Sequence, residues 1–266
     1  MKLTMLGTGN AIVTECYNTC FVMQEEDQYF LVDGGGGSTL LRQLKYAGID
    51  WKNIRNIFVT HKHLDHITGI LWMIRMICQN MNRGEYEGEA TIYAHDEVIA
   101  LLKDMAGKLL QKKETVFIDD RLHLQVVEDG KSIKILDKKV TFFDIQSTKA
   151  KQFGFCMELG KGEKLTCCGD EPYNVCEKQY AENSTWMLHE AFCLDSQAEI
   201  FHPYEKHHST VKDACKLAAE LNVKNLLLYH TEDKNILWRK ELYTKEGREY
   251  FNGNLLIPDD LESVKI

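Results

Sequence analysis

Residues 58–70 read FVTHKHLDHITGI, and positions 61 to 66 hold four side chains able to ligate a metal ion: His61, His63, Asp65 and His66. In the pattern H-x-H-x-D-H, alternation along an extended segment points His61 and His63 the same way. The turn that follows can aim Asp65 and His66 at a second, nearby point. Zinc favours imidazole nitrogen and carboxylate oxygen, and its catalytic sites keep a position open for water. A core strand or a solvated turn has no use for that density. Metal binding is therefore the reading, over a polar surface loop that happens to be rich in histidine.

The flanking sequence says how such a loop is carried. Before it, "IRNIFVT" is a short β-branched strand; after it, "HITGILWMIRMICQN" continues as an apolar helix. Further upstream, "MKLTMLG" and "NTCFVMQ…QYFLVD" are β-type runs separated by polar turns. "DGGGGS" at residues 33–38 breaks the chain. "STLLRQLKYAGI" then has helical spacing, with Leu40, Leu41, Leu44 and Ala47 on one face, Ser38 or Thr39 as N-cap and Gly48 as the stop.

Downstream, "ATIYAH" reads as a strand and residues 96–111 as a helix. "LHLQVVE", "SIKIL", "KVTFFDI", "FGFCMEL" and "KLTCCGD" are strands at hairpin spacing. "STWMLHE" and "NLLLYH" are strands on either side of the helix in "STVKDACKLAAELNV", whose stripe is Val211, Ala214, Cys215, Ala218 and Leu221. Hairpins in the middle, with strands alternating with helices at both ends, predict an α/β fold of two packed sheets with helices outside. No linker or repeat interrupts the chain, so one domain over residues 1–266 is expected. "KELYTKEGREY" reads as a solvated helix face and "PDDLESVKI" carries no chemistry.

The composition narrows the class of function. The chain is 44% hydrophobic and 27% charged with three prolines, which is globular rather than disordered. A formal charge of −8 supplies no global positive field for nucleic acid, leaving only local patches. No apolar run reaches the ~18 residues of a membrane span, and no basic region followed by a long apolar stretch opens the chain. The nine cysteines are scattered and read as reduced thiols, mostly core fillers, so a cytoplasmic, membrane-free protein is expected. Met73, Met76, Ile77 and Met81 read as core or as a dimer contact.

Seven stretches then share one resemblance: "LGTGNAIVTECYNT", "FLVDGGGG", "THKHLDHITG", "CCGDEP", "LHEAF", "HHSTVKDA" and "LLLYHTED". Their order across residues 1–233 resembles the metallo-β-lactamase superfamily, and within it the ribonuclease Z-like zinc phosphodiesterase branch. The resemblance implies a four-layer αββα sandwich and two divalent metal ions, zinc foremost. It places His61 and His63 on the first metal and Asp65, His66 and His230 on the second, with Asp170 bridging them and Asp33 supporting the loop. It also implies that Asp65 orients an attacking metal-bound hydroxide. His208, paired with Glu190, would protonate the leaving oxygen from a helix start that favours anions.

Two departures bear on function. The family's further histidine on the first metal is replaced in "VTFFDIQSTKAKQFGF", where Gln146 stands at the expected place. A neutral amide is a weak ligand beside imidazole. Either that site is weakened, or it takes a harder metal such as manganese, or one metal is held; His123 is an ordinary strand histidine rather than a substitute. Secondly, Phe153 to Asp170 leaves no room for the basic arm that grips transfer RNA in ribonuclease Z. Transfer RNA is thus disfavoured, and a small or single-stranded phosphodiester is the expected substrate. An acyl hydrolase acting on a lactam or thioester and a non-catalytic metal-binding module are the alternatives. Homodimers are common in the resembled branch.

Overall fold

Short β-branched runs separated by glycine-rich and polar turns become fourteen strands in two seven-stranded sheets, in a computed structural model that describes residues 1–266. The chain divides into two compact units: Met1–Gly7, Tyr17–Glu128 and Leu261–Ile266 form one, Thr8–Cys16 and Asp129–Asp260 the other.

In the first unit, β1 (Lys2–Gly7), β2 (Cys20–Glu25) and β3 (Gln28–Val32) are antiparallel, in a register that pairs Leu3 with Met23 and Val22 with Leu31. From β3 the sheet turns parallel through β4 (Ile54–Phe58), β5 (Ala90–Ala94) and β6 (Leu122–Val126). Each parallel step needs a crossover, and helices supply it. These are α1 (Thr39–Tyr46), α2 (Leu64–Arg83) and α3 (Asp96–Leu109), with the single turn α4 (Lys112–Thr115) after α3. The 20-residue α2 buries Ile70, Met73, Ile74, Ile77 and Met81 and stops at Gly84, whose left-handed φ of 72° suits a glycine cap. Each such side chain taken fully out of water contributes about 1.5–3 kcal/mol. Met76, by contrast, is only half-buried.

In the second unit, β7 (Ser132–Ile135), β8 (Lys138–Asp144), β9 (Phe153–Gly160) and β10 (Glu163–Cys167) form an antiparallel meander. The β9–β10 connection is only Lys161 and Gly162, both left-handed as a tight hairpin requires. The sheet continues in parallel through β11 (Trp186–Glu190), β12 (Asn225–Tyr229) and β13 (Asn254–Leu256). Its helices are the single turns α5 (Lys178–Ala181) and α6 (Ala198–Phe201), then α7 (Val211–Glu220) and α8 (Arg239–Gly247). Helix α7 buries Val211, Ala214, Cys215 and Ala218, as its spacing predicts.

The C-terminal stretch departs from expectation. Residues of "PDDLESVKI" form β14 (Ser263–Lys265), which pairs antiparallel with β1 in the first unit's sheet. β13 and β14 each hold three residues, too few to show alternation. Helix α8 is not simply a solvated face either: Tyr243 is fully buried and Arg239 is 1% exposed. No disulfide joins any of the nine cysteines, and no helix is long and apolar enough to cross a membrane.

Candidate metal centre

The histidine loop is anchored from behind by one acid. Asp33, just past β3, accepts from Thr60 N–H and from the Thr60 hydroxyl, each at 2.8 Å, and its Oδ2 lies 2.8 Å from His66 Nδ1. The Thr60 hydroxyl, having given its proton to Asp33, accepts from His61 Nδ1 at 2.9 Å. The partners therefore fix both tautomers, leaving Nε2 of His61 and of His66 as the lone-pair donor. The backbone is pressed just as tightly: Gly34 N–H donates to His66 O and Gly69 N–H to Gly35 O. A Cβ on Gly69 would sit 1.8 Å from Gly34 O, so only glycine lets the Asp33 turn lie against the first turns of α2.

The ligand atoms converge. His61 Nε2 and His63 Nδ1 are 2.8 Å apart, and His66 Nε2 is 3.3 Å from Asp65 Oδ2. His230, just past β12 with a left-handed φ of 57°, places Nε2 3.3 Å from Asp170 Oδ2. His61, His63, Asp65 and His66 gather on one loop of the first unit, and Asp170 and His230 meet in the second. Five of these six side chains are buried and His63 is half-buried. The Nε2 lone pairs of His61 and His66, with the neighbouring imidazoles and carboxylates, form donor chemistry that fits a divalent cation of the zinc type.

The turns bearing Asp170 and His230 have their own supports. The Tyr229 hydroxyl donates to Gly169 O. The segment Thr8–Asn10 runs beside Thr231, with Asn10 N–H donating to Thr231 O and Thr231 N–H to Thr8 O. Arg239 donates to the hydroxyls of Thr8 and Thr231 at 3.1 and 2.7 Å, and to Pro258 O and Asp259. A guanidinium's fork of donors can serve all four acceptors at once. Sequence reasoning missed Arg239 because it sits in a charged stretch that looks solvent-facing.

Gln146 is exposed, left-handed at φ 57°, and its N–H turns back to Asp144. It lines a cleft of about 380 Å³ with Ser147, Thr148, Glu171, Tyr173 and His207. The glutamine that reaches the ligand set is Gln152, whose Nε2 donates to Asp170 Oδ1 at 2.6 Å. His123 is a strand residue of β6 with Glu89 at 3.1 Å.

His208 and Glu190 are neighbours in a form the sequence did not predict. Glu190 Oε1 accepts from Ser209 N–H, while Oε2 stands 3.7 Å from His208 Nδ1, outside hydrogen-bond reach. Burial pushes the Glu190 carboxyl well above its usual range. The expected rise in His208 is reversed. Burial first, then the neighbouring His230 and Lys149, push it down to about 3. Both groups favour their uncharged forms because neither can keep its hydration. The helix start is also less open to anions than expected: Thr210 N–H donates to Asp213 and Val211 N–H to Cys193 O. The His208 ring stacks on Phe192 at 4.9 Å and lies 5.1 Å from the His230 ring. His189 turns inward, Nδ1 against Glu190 O at 2.7 Å.

A family model described as anti-Pycsar protein Apyc1 matches residues 1–251. Ribonuclease Z of Bacillus thuringiensis (strain Al Hakam) is 24% identical over 314 residues, covering 100% of this chain and 99% of the relative. Among solved structures, the metallo-beta-lactamase fold protein YhfI from Bacillus subtilis matches at a TM-score of 0.77 and 19% identity over 99% of each chain. The short form of human tRNase Z matches at 0.76 and 20% identity, over 100% of this chain and 99% of that one. The fold is the α/β fold of the metallo-β-lactamases.

Proposed function

The chain belongs to the family of the anti-Pycsar protein Apyc1, and from that premise we propose that it is a metal-dependent hydrolase of phosphodiester bonds, acting on small or single-stranded substrates. The observation that carries this is the gathering of His61, His63, Asp65 and His66 on one buried loop and the meeting of Asp170 and His230 in the second unit, imidazole beside carboxylate in each. Likeness to ribonuclease Z and tRNase Z supports phosphodiester chemistry. The two-residue β9–β10 hairpin supports a substrate other than transfer RNA, since it carries no gripping arm.

Two divalent cations, zinc matching the donors best, would supply charge neutralisation at the phosphoryl oxygens and a lowered pKa for water. By the resemblance, His61, His63, Asp65, His66, Asp170 and His230 would be the residues that hold them. Asp65 orients the attacking water by accepting its hydrogen bond. His208, its ring 5.1 Å from that of His230, is the residue that would donate a proton to the leaving oxygen. Glu190 holds the Ser209 N–H and so the turn that carries His208.

The test is hydrolysis of a chromogenic phosphodiester by protein of counted metal content, beside a chromogenic lactam. Wild type should turn over the phosphodiester and Asp65→Ala should lose about 100-fold or more in kcat/KM. Equal rates in the two proteins, or turnover of the lactam alone, would overturn the proposal. Inactivity with every metal would leave a binding module.

A further inference from the structure

Strand alternation sends neighbouring residues of β11 to opposite faces of the second unit's sheet. Met187 joins Val211, Ala214 and Ala218 of α7 in one apolar cluster, and His189, two residues on, shares that face. Glu190 points to the other face, toward Ser209. His189 is 1% exposed. Its Nδ1–H donates to Glu190 O at 2.7 Å, so Nε2 keeps the lone pair, and that nitrogen has no hydrogen-bond partner in the protein. Burial pushes the pKa of the ring down, so the imidazole stays neutral and offers Nε2 as an acceptor. The ring lines a cavity of about 250 Å³ together with Tyr173, Tyr204, His208, Asp213 and Leu217.

The lining sets the chemistry of an occupant. Asp213 is its only acid, and no lysine or arginine lines it. Asp213 Oδ2 accepts from Thr210 N–H at 3.0 Å, from the Thr210 hydroxyl at 2.7 Å and from the Tyr204 hydroxyl at 2.9 Å, which leaves Oδ1 for a further donor. The carboxylate is also close enough to act on the charge of His189. Half-buried Tyr173 and exposed Tyr204 add ring faces that attract a flat cation. The volume falls below the roughly 300–1,000 Å³ of drug-sized sites, so the cavity seats a single head group. We propose that this cavity binds a flat cation rich in N–H donors, a guanidinium or amidinium, which gives one N–H to His189 Nε2 and another to Asp213 Oδ1. A planar fork of donors can serve both acceptors at once, whereas an ammonium is a compact point charge. The site stands apart from the cation centre and binds its ligand whether or not that centre hydrolyses phosphodiesters.

The experiment is calorimetric titration of the full chain with butylguanidine, with nitrogen-resolved NMR of the histidine rings as a second readout. Butylguanidine should bind at one site per chain and shift the His189 Nε2 resonance as a donor reaches its lone pair. Pentylamine, of similar length but ending in an ammonium, should bind about 10-fold more weakly. A capped tripeptide with a central arginine distinguishes the sources: tighter binding of the peptide assigns the cavity to an arginine side chain, tighter binding of butylguanidine to a free cation. Asp213→Asn keeps an oxygen for the helix cap and removes the charge, and should weaken binding by about 10-fold or more. Leu217→Trp fills the cavity without touching its polar groups and should abolish binding. Thermal melting identifies a variant that fails to fold, and the wild-type NMR shift then decides. No binding of either guanidinium ligand, an unmoved His189 resonance, equal affinity for pentylamine, or undiminished binding in folded Asp213→Asn or Leu217→Trp would each overturn the proposal.

Discussion

Asp33 sets the chemical state of the loop, since one carboxylate takes hydrogen bonds from Thr60 and from His66. Replacing it with alanine leaves His66 free to place its proton on Nε2, the nitrogen that faces Asp65. Asp33→Ala should therefore lower metal affinity by about 10- to 100-fold without disturbing the histidine sequence itself. Chelator competition would measure this, and unchanged affinity would show the support to be dispensable. The four loop residues expected to be ligands stood out because they are close in sequence and of distinctive type. Gln152 did not, because an amide carries no ligand signature and its partner lies 18 residues on. Gln146 was placed by the pattern of the resembled family, at the end of the strand where a histidine is expected. It faces solvent, because the left-handed turn at that residue carries the chain away before it returns to β9.

At the scale of elements, the longer strands and helices were read from periodicity, and the failures fall where periodicity is short or masked by charge. β13 and β14 are three-residue strands, and α8 hides Arg239 and Tyr243 among lysines and glutamates. The turn at Val175–Glu177 conceals another buried acid. Glu177 closes a capping box on Asn174, accepting its N–H at 2.8 Å, and is fully buried. Burial pushes its carboxyl up to about 8, against 4.5 ordinarily, the hydrogen bonds from the Asn174 backbone and the Cys168 side chain offsetting only part of this. Between those values the folded chain holds a proton that the unfolded chain has released. This contribution to stability is full below about 4.5 and lost as pH rises through about 8. Glu177→Gln keeps the acceptor and removes the titration. It should melt close to wild type near pH 4.5 and several degrees higher near pH 8; parallel melting curves at both values would contradict the assignment.

For the whole molecule, a formal charge of −8 supplies no general attraction for a phosphodiester anion. A phosphodiester anion approaching an acidic protein needs local positive charge, and the buried imidazoles and carboxylates supply it only with cations in place. The fold class was legible from the order of seven motifs. The pairing of ligands from distant parts of the chain was implied by resemblance and could not be derived from spacing. The most direct measurement is anomalous diffraction at the metal absorption edge from crystals of the zinc-loaded protein. The expected result is zinc peaks in contact with His61, His63, Asp65 and His66 of the histidine loop and with Asp170 and His230. Crystals with full zinc uptake but no peak at either group, the same side chains bonded only to one another, would contradict it.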